Sequence, residues 1–91
     1  MIEFDRQKDA RNIATHGISL AEAERLLSGF IVEKIDNRFD YGEVRVIATG
    51  EISGRVFVCV YTRRGDVCRP ISLRPAKKRE RNAYAQAKAG G

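Results

Sequence analysis

After Gly29 the apolar spacing along this 91-residue chain switches from the three-to-four repeat of a helix to short, β-branched runs. The runs "FIVEKI", "EVRVIAT", "RVFVCVYT" and "DVCRPISL" are separated by "DNRFDYG", "GEISG" and "RRG", and predict four strands in an antiparallel meander. Upstream, Asp5 can cap a helix whose Ala10, Ile13 and Ala14 form one narrow apolar stripe before Gly17 stops it. "SLAE", from Ser19 to Glu22, matches a capping box, and Leu20, Ala23, Leu26 and Leu27 supply a second apolar face that ends at Ser28 and Gly29. Pro75 suits the first turn of a final helix in which Ala76, Ala83, Tyr84 and Ala87 share a face. The expected fold class is therefore α+β: two N-terminal helices, a four-stranded antiparallel sheet and a C-terminal helix, in a single domain over residues 1–91.

Several classes of function fall away at once. No apolar run approaches the roughly 20 residues of a membrane span, and the acidic start lacks the regions of a signal peptide, so a cytoplasmic location is expected. Cys59 and Cys68 form no metal spacing with His16 and read as reduced core residues. There is no GxxxxGK, no GxGxxG and no acidic cluster spaced for magnesium. Neither a cofactor nor a metal is expected.

Charge is distributed unevenly. Residues 1–62 carry 8 basic and 10 acidic side chains, a net −2, whereas residues 63–91 carry 9 and 2, a net +7. A polarised surface of this kind attracts polyanions, so RNA, DNA or an acidic protein partner would answer to it.

Alternation along the strands assigns faces, provided Arg64 and Gly65 form a two-residue turn. On that register Val56 opposes Leu73, Val58 opposes Ile71 and Val60 opposes Arg69. A four-residue loop at "GEISG" then aligns Arg45, Val60 and Arg69 across three strands. On the opposite face Arg55 meets Arg74, a like-charge pair that an acid or a bound anion would offset. In the final helix Glu80 lies on the alanine-rich stripe four residues before Tyr84, and Arg69 or Arg74 would be its natural partner. His16 is the one imidazole, placed either to cap helix carbonyls or to move protons. Each arginine taken alone could equally splay into water or pair with an acid. RNA offers metal-free chemistry because its own 2′-OH can attack the adjacent phosphate, leaving the protein to orient it, move protons and neutralise charge.

Taken together, "FDRQKDARNIATHGIS", "DYGEVRVIATG", "RVFVCVYTRRGDVCRPISLR" and "AKKRERNAY" resemble the BrnT family of bacterial type II toxins over nearly the whole chain. The resemblance implies a RelE-like ribonuclease that blocks translation by cutting RNA. It also implies a BrnA-like antitoxin with a ribbon-helix-helix domain, through which the complex binds operator DNA. By position the matching residues are Lys8, Asn12, His16, Glu43, Arg45, Arg69, Arg74, Glu80 and Tyr84. Two departures stand out: Phe4, where the family often has Trp, and Pro70, where a β-branched residue usually follows the arginine. Without a ladder donor, Pro70 requires an edge strand or a local opening.

The expectation is then a metal-independent endoribonuclease in which Arg45, Arg69 and Arg74 hold the scissile phosphate and its neighbours. His16, Glu80 or Tyr84 would transfer protons, and Lys8, Arg55, Lys77, Lys78 and Arg81 would bind RNA. The same basic surface would receive an antitoxin segment. The competing reading, from a different class, is a noncatalytic nucleic-acid-binding or antitoxin-binding regulatory subunit that uses "KKRER" as a phosphate grip.

Overall fold

A computed structural model describes residues 2–38 and 42–90; the middle of the "DNRFDYG" turn, residues 39–41, lies outside them. Helix α1 (Arg6–His16) is followed by a 3₁₀ turn (Leu20–Glu22) and α2 (Ala23–Leu27), then β1 (Val32–Asp36), β2 (Arg45–Ile52), β3 (Arg55–Arg64), β4 (Val67–Pro75) and α3 (Lys78–Gly90). The strands form one antiparallel sheet in the order β1-β2-β3-β4, an α+β architecture with a C-terminal helix.

Local chemistry sets the helix ends. The Asp5 carboxylate accepts the N–H groups of Gln7 and Lys8 at 2.6 and 3.3 Å, which holds its pKa below the ordinary carboxylate value. At the other end Gly17 adopts φ 73°, and its N–H returns to the Ile13 carbonyl at 2.8 Å. Ser19 accepts from the Ala21 N–H as a cap should, but the reciprocal half of the expected capping box is absent. Glu22 pairs with Arg25 at 3.1 Å instead, and Asp9 takes the Ser19 hydroxyl and the Leu20 N–H at 2.9 and 2.7 Å.

Leu20, Ala23 and Leu26 seal one face of the sheet, where Ala48, Cys59 and Leu73 are likewise fully buried. Both cysteines are free thiols in this layer, and burial pushes Cys59 up to about 12. Gly50 belongs to β2 and faces the same layer: a Cβ built there would stand 3.0 Å from both Leu26 and Ile31. The apolar stripe of α1 does not join this core. Ile13 is 47% exposed, and the inward residue of the helix is Asn12. The reason is geometric: α1 rides along the edge of β4, where the groups to be satisfied are backbone N–H and C=O.

Three sequence expectations about register are corrected. The β2–β3 connection is the two-residue turn Ser53–Gly54, with φ 51° and 81°, so it is not a four-residue loop and Ile47 opposes Val60. The β3–β4 turn is Gly65–Asp66 rather than Arg64–Gly65; this puts the glycine, φ 58°, at the first loop position and spares Arg64 a left-handed backbone. The ladder then shifts between Val60 and Tyr61: Tyr61 opposes Pro70 but Val60 opposes Ser72, leaving Ile71 as the extra residue of a bulge. Pro70, having no N–H, sits beside this break on an edge strand, as its chemistry requires. Consequently Leu73 opposes Cys59, Arg69 opposes Thr62 and Arg74 opposes Val58, while Arg55 pairs with Ile52 and never meets Arg74. Pro75 closes β4 rather than opening the last helix, which begins at Lys78.

Candidate functional site

The bulge decides which arginines share a face. Strict alternation would put Arg69 and Arg74 on opposite sides of β4. One extra residue at Ile71 restores Arg74 to the side of Arg69, since their partners Thr62 and Val58 stand an even number apart on β3. This is the sheet face opposite the α2 core, and two separate basic depressions lie on it.

The first is a cleft of about 100 Å³ at the end where β2 begins and β3 ends. Three elements each deliver one cation to it: Lys8 from the first turn of α1, Arg45 from the start of β2 and Arg69 from β4. Glu43, Asp5 and Thr62 complete the polar lining. Arg69 lies 3.6 Å from the Glu3 carboxylate, which is 63% exposed, and Glu43 stands 3.9 Å from Arg64. Lys8 and Ile71 also line a neighbouring open groove of about 270 Å³ that runs along α1 past Arg11 and Thr15 to His16. Half-buried His16 therefore lines a groove that shares Lys8 and Ile71 with the cleft of Arg45 and Arg69.

The second depression, of about 600 Å³, gathers Arg74, Glu80 and Lys77 with Lys34 and Arg38. Here the two key residues satisfy each other. Arg74 donates two parallel hydrogen bonds of 2.8 Å to the Glu80 carboxylate, which also accepts the Lys77 N–H at 2.8 Å. The Arg74 guanidinium holds the Glu80 carboxyl down at about 2, and the carboxylate in turn raises Arg74. A carboxyl so placed stays ionised well into the acid range and is a poor proton donor. Tyr84 is 3% exposed, its hydroxyl donates to the Phe30 carbonyl at 3.0 Å, and its ring packs edge-on against Phe30. Burial raises its pKa further.

Of the residues singled out in the sequence, Lys8, Arg45 and Arg69 converge, with His16 on the adjoining groove; Arg74, Glu80 and Lys77 form a second group. Tyr84 is committed to packing. Arg55 extends over the Phe57 ring at 5.5 Å on the other face, Arg81 turns back to the Ala76 carbonyl at 2.9 Å, and Lys78 is exposed at the start of α3; none of the three lines either depression. Thr62 went unnoticed in the sequence; its signal was a polar β-branched residue three before the turn glycine, in phase with Val58 and Val60. Among the described residues no group of three or more His, Cys, Asp or Glu could hold a metal ion, and no helix is long and apolar enough to cross a membrane.

A cleft with three convergent cations suits a substrate with closely spaced negative charge, such as a phosphodiester. A family model described as "Ribonuclease toxin, BrnT, of type II toxin-antitoxin system" matches residues 4–80. No curated protein matches the chain.

Proposed function

Because the chain belongs to the BrnT family of ribonuclease toxins of type II toxin–antitoxin systems, we propose that it is a metal-independent endoribonuclease whose reaction takes place in the cleft of Lys8, Arg45 and Arg69. The single observation that carries this reading is the delivery of those three cations to one small cleft by three different elements. The RNA 2′-OH attacks the adjacent phosphorus, the P–O5′ bond breaks, and a 2′,3′-cyclic phosphate is left behind. Negative charge grows on the phosphoryl oxygens as this happens, and the Arg45 and Arg69 guanidinium groups neutralise it with Lys8 in support. Exposed Glu3 already offers Arg69 a carboxylate, a partner that an RNA phosphate can displace.

Of the three candidates for proton transfer, His16 is the one on the groove that adjoins the cleft. It stands about 12 Å along α1 from Lys8, at roughly 1.5 Å per residue, so it serves a reacting phosphate only where the RNA lies along that groove. Glu80 and Tyr84 are less suited, the first held ionised by Arg74 and the second donating to a carbonyl. Cutting of cellular RNA in this way would stop translation. A BrnA-like ribbon-helix-helix antitoxin that covers the cleft would exclude RNA, and the complex would bind operator DNA through that partner.

The test is incubation of the purified chain with a long RNA in EDTA, followed by analysis of the new ends. Cleavage that leaves 2′,3′-cyclic or 3′-phosphate ends is expected. RNA left intact by folded, partner-free protein, with and without ribosomes, would move the assignment to a noncatalytic regulatory subunit.

A further inference from the structure

The two edges of the sheet are treated differently. Along β4 the backbone is covered from outside by the chain itself: Glu3 donates its N–H to the Cys68 carbonyl at 3.0 Å, and Asn12 binds Leu73. Along β1, among the described residues, no hydrogen bond from outside reaches the backbone of Val32, Glu33, Lys34 or Ile35. Strands usually protect such an edge with charge, proline or a covering loop. Here two exposed apolar side chains, Val32 at 39% and Ile35 at 57%, flank the exposed charges of Glu33 and Lys34, with no proline among the four.

A groove runs beside this edge on the open sheet face. Its floor is apolar, built from Ile47, Val58 and Val60, and it continues past Val32 to a wall made by Ala83 and Tyr84 of α3. Its rim is basic. Lys34 and Lys77 have no acidic partner among the described residues, whereas the acids of the groove are engaged, Asp36 by Arg38 and Glu80 by Arg74. None of its lining residues belongs to the cleft of Lys8, Arg45 and Arg69.

The geometry points to β1 as the docking edge for an extended, acidic segment of a protein partner, which adds as a fifth strand. Its backbone pairs with Val32–Ile35, its apolar side chains enter the groove, and its carboxylates meet Lys34 and Lys77. The free backbone edge selects a peptide over RNA, because only a polypeptide strand can complete its hydrogen-bond ladder, whereas Lys34 and Lys77 alone would also answer to phosphate. The inference deepens the reading above, on which it rests for the existence of an antitoxin partner, and gives that partner an anchor separate from the RNA cleft. Charge complementarity at the rim speeds encounter, and strand pairing supplies register.

The experiment titrates the ¹⁵N-labelled full chain with a synthetic ten-residue peptide of alternating valine and glutamate. A second peptide has the same sequence but carries N-methyl groups on its four central residues, so it keeps side chains and charge while losing strand donors. Amide shifts centred on Val32–Ile35 are expected with the first peptide, with at least tenfold weaker binding by the second. Lys34→Glu should weaken the first peptide about tenfold and leave RNA cleavage at the wild-type rate. Equal binding of both peptides, shifts confined to the Lys8, Arg45 and Arg69 cleft, or no shifts at millimolar peptide would each overturn the proposal. Because the titration contains no RNA, a chain that fails to cut RNA refutes the ribonuclease reading and leaves this result standing.

Discussion

The carboxamide of Asn12 binds both backbone groups of Leu73, accepting its N–H at 3.0 Å and donating to its carbonyl at 2.8 Å. A primary amide can mimic the peptide group of a neighbouring strand in this way, and Asn12 extends the mimicry by also donating to the Ile18 carbonyl at 2.9 Å. One buried side chain thus fastens α1 to the sheet edge, and α1 brings Lys8 to the cleft.

Asn12→Ala should therefore be among the most destabilising polar substitutions in the chain. It strips partners from buried backbone groups, each worth about 1–3 kcal/mol when left unsatisfied, and the expected total is about 2–4 kcal/mol in urea unfolding. An unchanged midpoint would mean that water replaces the amide without loss.

Gly50→Ala tests packing rather than polarity. The added methyl would stand 3.0–3.1 Å from Leu26 atoms and 3.0 Å from Ile31, and Leu26 is fully buried. Overpacking of this kind costs about 1–3 kcal/mol, so a lowered thermal midpoint is expected. A raised midpoint would show that α2 can move outward freely.

The Arg74–Glu80 pair gives a signed pH dependence. The folded carboxyl titrates at about 2, below its ordinary 4.5, so its contribution is complete above pH 4.5 and is lost as pH falls from there towards 2. The carboxylate is 31% exposed, and after allowance for solvent screening the contribution is about 1 kcal/mol. Glu80→Gln should lower stability at pH 7 and flatten the acid limb of the stability curve; parallel curves for the two proteins would contradict this.

For activity, Arg69→Ala and Arg45→Ala should each reduce RNA cleavage by about 10²–10³, the scale of losing one preorganised charge partner in the transition state. RNA affinity should fall only modestly. Arg55→Ala, on the other face of the sheet, should cleave within about twofold of wild type, since an exposed charge far from the reacting phosphate contributes little. Normal cleavage by Arg69→Ala would remove that residue from the site.

The caps at Asp5 and Ser19, the stop at Gly17 and the four strands were legible in the sequence, because each depends on residues close together or on a simple period. Glu80's need of a basic partner was legible too, though not the choice of Arg74 over Arg69. The bulge at Ile71 was only half legible. Pro70 announces that the ladder must open, but not that one residue is left over, and that single residue carries Arg74 to the other face. Asn12 was invisible as a structural element, since its partner is a backbone 61 positions away. The apolar stripe of α1 misled for the same reason: a helix that serves a strand edge turns an amide inward and leaves Ile13 outside.

A sheet that has closed one of its margins with its own N-terminal segment can be extended from one side only. Fibril growth by strand stacking needs a donor margin and an acceptor margin on every molecule. With β4 covered at Cys68 by Glu3 and at Leu73 by Asn12, a newly made chain that has not yet met its partner offers β1 as its more open margin, an asymmetry that favours a finite pair over an endless ribbon.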